Sequence, residues 1–313
     1  MKDTKHKILT LAALTTIAAG VIHLTNRVIV ASSQLKEMLD FSNHNYYNWR
    51  FGKIYYTKKG KGSPLLLIHD TMPGASGYEW SRVEDQLAQE HTVYTLDLLG
   101  CGRSEKAGIT YTNFLFVQII CDFIKNVIKE KTDIIASGFS CSFVTTAAAY
   151  DKESINKIMF INPVSMISLA QTTTKKDKLF KFFIELPIFG TFIYHIIVSR
   201  ETINDFFLDK LYYNPFHVDK DVLDAYYEAA HKGGYYAKCL YSSQSAKYMN
   251  INIRHAVESI DNSIYIVEGE DEPNGAAIVE AYQKVNPAII PCSKHFPHIE
   301  NVEAFLEQVG AFF

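Results

Sequence analysis

Cysteine is scarce: five residues in a chain of 313, with no C-x-x-C pair at zinc spacing. That argues against a disulfide scaffold and against a cysteine-rich metal centre. Basic charge is not in surplus either. Lys and Arg number 31 against 34 Asp and Glu, a formal charge of −3 and a pI near 6.4. Nothing in that balance recommends a nucleic-acid backbone as partner. There is no internal repeat and no low-complexity tract. The segment Ile68–Gly77, IHDTMPGASG, lacks G-x-G-x-x-G, which removes the main sign of a dinucleotide-dependent oxidoreductase. What is present in quantity is apolar: 48% hydrophobic residues against 21% charged, enough to bury a sizeable core and to rule out global disorder.

The first apolar feature is a run from Ile8 to Leu24, ILTLAALTTIAAGVIHL, followed by a second from Val28 to Ala31. Seventeen helical residues reach roughly 25 Å, slightly short of a hydrocarbon core, and the second run extends them. Lys2, Lys5 and Lys7 precede the segment, and no persuasive A-x-A site follows it. An uncleaved anchor over residues 1–31, meeting the membrane through residues 8–30, is the leading expectation. A cleaved signal peptide and an amphipathic or buried helix are the competitors. The lysine balance favours, by a thin margin, a cytoplasmic N-terminus with the main domain outside.

From Tyr46 the pattern alternates. Trp49–Thr57 is an early strand. Leu65–Ile68, Thr92–Leu96, Asp133–Ala136, Lys157–Ile161 and Ser263–Val267 are short apolar runs, too short for helices and suited to buried parallel strands. Glu79–Gln89, Tyr111–Lys129 and Cys141–Tyr150 carry helical spacing between them. This alternation predicts an α/β fold with a mostly parallel central sheet and helices on both faces. Nearly a hundred residues rich in Phe and Tyr separate the last two strands, too long a gap for a loop. The expected division is a core of residues 46–162 and 261–313, with a helical cap at 163–260.

Gly138-Phe139-Ser140-Cys141-Ser142 lies where a strand gives way to a helix. A strained turn there lifts a serine hydroxyl above a parallel sheet, and needs small residues two before and two after it. Gly138 meets that condition and Ser142 nearly so. Amides at the start of the following helix would face an oxyanion formed at Ser140.

With these residues the sequence resembles the α/β-hydrolase fold family over roughly Tyr46 to Phe313. Ile68-His69-Asp70-Thr71 is similar to the family's His-Gly loop, which supplies one oxyanion-hole amide. Asp97-Leu98-Leu99-Gly100-Cys101-Gly102-Arg103-Ser104 resembles its D-x-x-G-x-G-x-S segment. His295-Phe296-Pro297-His298-Ile299-Glu300 resembles the C-terminal H-x-P-x-x-E that bears the catalytic histidine.

The resemblance implies a nucleophile at Ser140 and a base at His295, since a serine hydroxyl needs a neighbouring group to take its proton. The acid that orients the imidazole should follow the fifth core strand, within Gly269-Glu270-Asp271-Glu272. Glu272 stands at the G-x-x-D register, and Asp271 is the second choice. Asn162, ending the strand before the gap, has no charge to offer. The oxyanion hole would be the backbone N–H of Thr71 with that of Cys141, and Asp70 departs from the glycine usual at its position. The Cys141 side chain is expected to pack, and Asp97 and Arg103 to scaffold their loop. His298 is expected to be structural or to stand at the pocket mouth, and His231 and His255 to be ordinary surface residues.

The implied activity is a serine hydrolase acting on carboxylic or lipid-like acyl esters, with no metal or organic cofactor. Aspartate nucleophiles, used by dehalogenase and epoxide-hydrolase relatives, are disfavoured by Ser140. The rival expectation is a catalytically inactive, membrane-anchored binding module. The apolar cap, with Leu179–Val198 split by Pro187 and Gly190, points to an apolar small-molecule substrate.

Overall fold

The computed structural model describes residues 2–39, 45–272 and 287–313. Strands β1 (Asn45–Trp49), β2 (Gly52–Lys59), β3 (Ser63–Ile68), β4 (His91–Leu96), β5 (Thr132–Ser137), β6 (Ile155–Ile161), β7 (Ile264–Gly269) and β8 (Ala288–Ile290) form one sheet. Their order is β1-β2-β4-β3-β5-β6-β7-β8, antiparallel through β1, β2 and β4 and parallel from β4 onward.

Period-two alternation decides which side chain joins which half of the core. Leu66 and Ile68 of β3 face a cluster with Ile120, Phe123, Phe143 and Ala147 from helices Asn113–Phe123 and Ser140–Tyr150. Leu65 and Leu67 face the opposite cluster, with Trp80, Leu87, Phe305 and Val309. All four of these β3 side chains are fully buried, each worth about 1.5–3 kcal/mol in burial terms. This two-sided covering is why the strand reads as an unbroken apolar run.

The differences from expectation are local. The early strand is a hairpin turning at Trp49–Gly52, where Gly52 has φ of 150°. Glu79–Gln89 breaks into a 3-10 turn, Gly77–Trp80, and a single helical turn, Glu84–Leu87. Glu79 is drawn into the interior, where it accepts the Asp70 N–H and the Ser137 hydroxyl, and this is incompatible with a surface helix face. The helix expected to Lys129 widens into a π-turn over Ile124–Ile128 and stops at Lys129, which has φ of 65°. Strand β8 lies outside any strand read from the sequence.

Between β6 and β7 the regular elements are all helical. Helices Lys175–Glu185 and Phe189–Ile197 meet at a 104° bend around Pro187. The bend is tight because Gly190 lies against the carbonyls of Phe183 and Ile184, where a Cβ would overlap them.

The N-terminal helix spans Lys2–Ser33 and is long and apolar enough over His6–Ser33 to cross a membrane, with none of its most apolar stretch buried in the fold. Its C-terminal end and the turn that follows it are tied to the helical layer. Asn26 donates to the Ile188 carbonyl at 3.1 Å, the Met38 N–H donates to Glu228 at 2.7 Å, and Lys36 pairs with Asp224.

Candidate active site

The site gathers at the C-terminal ends of β3, β5, β6 and β7, where carbonyls stop pairing and the connecting loops converge. The loop after β3 brings His69, Asp70 and Thr71; the turn after β5 brings Gly138, Phe139 and Ser140. The loop after β7 brings Glu272, and the loop before the short helix Pro297–Glu300 brings His295.

His295 and Glu272 meet as expected, with Nδ1 3.4 Å from Glu272 Oε2. Asn162 holds this half of the site together. Its side-chain amide donates to the carbonyls of Lys294 and His295, each at 2.8 Å, and its oxygen accepts the Gly269 N–H at 3.1 Å. It sits at φ of 44°, a left-handed conformation that asparagine tolerates better than most residues. The sequence offered it only as a failed acid; it is the strap between β6, β7 and the histidine loop. Asp271, the second choice for the acid, is exposed and lies 3.6 Å from Lys294 Nζ.

The nucleophile side is arranged differently. β5 runs through Ser137, and the residue with positive φ at the turn is Gly138, at 54°. Phe139 is already in the right-handed helical region, and Ser140 begins the helix. The small residues flanking the turn at two positions' distance are therefore Ala136 and Ser140. Ser140 is fully buried, and its hydroxyl donates to the His69 carbonyl at 2.6 Å. The structure does not bring it to His295. The Cys141 side chain packs under the sheet end, 3.3 Å from the Ala136 carbonyl, and its N–H points back to the Gly138 carbonyl at 3.4 Å. The amide that converges with Thr71 is that of Phe139, in place of the expected Cys141. The strand end was the available signal: β5 stops at Ser137, one residue beyond the expected Ala136, so the turn follows at once at Gly138, two residues before Ser140.

Asp70 occupies the space this leaves. One carboxylate oxygen, Oδ1, accepts the Phe139 N–H at 2.8 Å and the Thr71 N–H at 2.6 Å. The other, Oδ2, lies 3.2 Å from His295 Nε2. A Cβ built on Gly138 would overlap this carboxylate, so the Asp70 side chain fills the volume that an elbow side chain would take. From β7 inward the site is a chain of carboxylate, imidazole, carboxylate and two amides.

The electrostatics follow. Burial opposes a charge on His295, but the carboxylates of Asp70 and Glu272 override it and push the imidazole up to about 10. Burial would likewise raise Asp70; His295 and the two amides hold it below its ordinary value instead. Glu268, beneath Glu272, is pushed up to about 7 by burial and then by the Glu272 charge.

The surrounding residues are structural. Asp97 accepts the Gly77 N–H and a forked pair from Arg103 at 2.8 and 2.9 Å. His298 is fully buried, stacked on Trp80 with ring centroids 4.7 Å apart and 3.4 Å from Glu79. His231, expected at the surface, is fully buried and stacked on His195 with centroids 4.9 Å apart, since its helix turns that face into the layer. His255 is exposed. No cluster of three or more His, Cys, Asp or Glu fit for a metal ion occurs among the described residues.

A sequence profile described as the alpha/beta hydrolase family matches residues 65–308. The chain belongs to the alpha/beta hydrolase family. Among curated family relatives it is 28% identical, over 36% of its length, to a 2-hydroxy-6-oxo-6-(2'-aminophenyl)hexa-2,4-dienoic acid hydrolase of Metapseudomonas resinovorans. It is 29% identical, over 35% of its length, to a soluble epoxide hydrolase of Corynebacterium sp. strain C12. The match covers 39% and 37% of those two proteins, well under half of either. Solved structures of the fold superpose more widely. A serine hydrolase of carbazole degradation has a TM-score of 0.70 at 18% identity, covering 86% of this chain and 98% of that one. A bacterial membrane phospholipase A has a TM-score of 0.68 at 18% identity, covering 98% and 97%. At such identities the likeness establishes the alpha/beta hydrolase fold. The curated relatives named are all hydrolases.

Proposed function

We propose that this alpha/beta hydrolase is a membrane-tethered enzyme that hydrolyses an ester linkage, with an apolar small molecule as substrate. His295, oriented by Glu272, takes a proton from water when it is in its neutral form, which the two flanking carboxylates confine to pH above about 10 while Asp70 is charged. The Phe139 and Thr71 amides receive the negative charge that develops on the ester carbonyl oxygen. Two N–H groups at 2.6–2.8 Å from one oxygen, beside an imidazole backed by a carboxylate, are the parts that such a step requires. That convergence is the observation that carries the reading.

The apolar substrate is supported by the outward face of the helical layer. Phe182, Phe183, Phe189 and Ile196 are exposed there, on the two helices that flank Ile188, the residue bonded to Asn26 of the N-terminal helix. An anchored chain with its apolar helices beside the anchor is suited to substrates that partition into a bilayer, such as the lipid-like acyl esters that the sequence suggests. The main domain would lie on the extracytoplasmic side.

The test is hydrolysis of a short soluble ester and of the same acyl group on a lipid in vesicles, by the full chain and by His295→Gln. Turnover lost in the variant supports the reading. A well-folded wild type inert on every ester and on other hydrolysable electrophiles overturns it. That outcome would favour the second reading, an inactive binding module, which one observation recommends: the Asp70 carboxylate already occupies the two amides.

A further inference from the structure

We propose that the Asp70 carboxylate is the covalent nucleophile of this site, delivered from the loop after β3 into the place that Gly138 leaves empty, and that its substrate carries an electrophilic saturated carbon, as in an apolar epoxide. This rests on the reading that His295 and Glu272 activate water. It goes beyond it by assigning the ester that the water attacks to the protein itself.

Three placements converge on Asp70. The strand-to-helix turn bends at Gly138, which has no side chain to offer as nucleophile, and the Asp70 carboxylate stands in the volume a Cβ there would take. Oδ1 is held by the two amides, which leaves Oδ2 as the oxygen that faces His295. Oδ2 is within 3.2 Å of His295 Nε2, the nitrogen that Glu272 does not engage. Ser140, the first residue of the helix, donates its hydroxyl to the His69 carbonyl instead.

The chemistry of a carboxylate selects the electrophile. Attack on the acyl carbon of an alkyl ester gives a tetrahedral adduct that expels the carboxylate, the weaker base, and returns to the start. Attack on a strained ring carbon does not reverse in this way. Asp70 Oδ2 forms a bond to that carbon, the ring C–O bond breaks, and the ring oxygen takes the Nε2 proton of the His295 imidazolium. The result is a hydroxyalkyl ester of Asp70 and a neutral imidazole. Esterification removes the Asp70 charge that held His295 protonated, so the group becomes a base when one is needed. His295 then takes a proton from water, the hydroxide adds to Asp70 Cγ, and Oδ1 carries the oxyanion against the Phe139 and Thr71 amides. Collapse breaks the bond from Cγ to the alkyl oxygen, which leaves with the proton of the added hydroxyl. Asp70 returns as carboxylate and His295 as imidazolium; the sum is epoxide plus water to diol.

The experiment uses the full chain in detergent, with styrene oxide as probe. His295→Gln should slow ring opening, whose proton must then come from solvent, and remove the base of the second step, so that on long incubation one epoxide equivalent accumulates on the peptide carrying Asp70, and Asp70→Asn should carry none. A single turnover of the wild type in 18O-water should place the label in Asp70 and not in the diol. The geometry has a separate check: G138S combined with D70G should gain fluorophosphonate labelling at position 138, which neither wild type nor G138S alone shows. An adduct on another residue, or label entering the diol directly, overturns the proposal. If esters are hydrolysed through His295 and no probe marks Asp70, the proposal fails while the ester-hydrolysis reading stands. If neither class is consumed, both fall.

Discussion

The two halves of the site were written in the sequence with unequal clarity. On the β7 side, Glu272 and His295 meet where the spacing put them, strapped by Asn162. On the β5 side, the string G-x-S-x-S lies across the turn but two residues out of phase with it: the bend is at Gly138, and Ser140 already belongs to the helix. The carboxylate that faces His295 comes from a third loop, at the position where glycine is usual. A motif names residue types; strand length and backbone φ decide which of them reaches the reacting volume. One loop can lose a side chain and another supply one into the same space.

The most direct way to break this comparison is to attack the half that the sequence read well. His295→Gln should lower turnover by at least about 10²- to 10⁴-fold, the usual worth of a positioned general base. Turnover unchanged would remove the imidazole from the mechanism and with it the meaning of the Glu272 contact. Glu272→Gln should cost less, on the order of 10²-fold, and should lower the imidazole pKa by removing one of the two carboxylates that raise it. Titration of the His295 ring protons by NMR checks this, with Asp70→Asn giving a second downward shift. The linkage has a definite sign. Because the folded value is raised, His295 adds stability that is complete below its ordinary 6.5 and is lost as pH climbs through about 10. Denaturant midpoints of the wild type should fall across that window, and those of Asp70→Asn should fall less.

The other half is sharpened at the turn. Gly138→Ala adds a Cβ at positive φ and in the volume of the Asp70 carboxylate. A loss of about 1–3 kcal/mol in unfolding free energy is expected, together with displacement of Asp70 from the amides. Gly138→Ala at wild-type stability would mean that the turn lies elsewhere.

What the sequence made legible follows from what local pattern encodes. The five buried strands were readable because each is apolar on both faces, and the helical region between β6 and β7 because its length left no other place for it. The hairpin before β3 was read as one strand, since Trp49 to Gly52 turns on a glycine whose φ no composition reveals. Glu79 opens a segment with helical spacing and nothing in that pattern marks it as buried. Its burial under Asp70 and against His298 depends on partners at positions 70, 137 and 298 that no window of sequence brings together. Asp70 itself was noticed only as a departure from glycine. Its role depends on a vacancy 68 residues away, and such long-range complementarity is visible only in three dimensions.

The smallest expected effect is also the most discriminating. Ser140→Ala removes one hydroxyl that donates to the His69 carbonyl at 2.6 Å and touches neither His295 nor the two amides. The loss of that bond should cost about 1 kcal/mol in stability, because the carbonyl stays buried without it. Activity per folded molecule should change by less than about threefold. The serine string alone demands the opposite, an enzyme as dead as His295→Gln, because no other group would be there to attack. Ser140→Ala measured beside Asp70→Asn on one substrate therefore asks which loop does the chemistry. A near-silent serine beside an inactive aspartate variant would assign it to the loop after β3, and the reverse ranking would return it to the turn after β5.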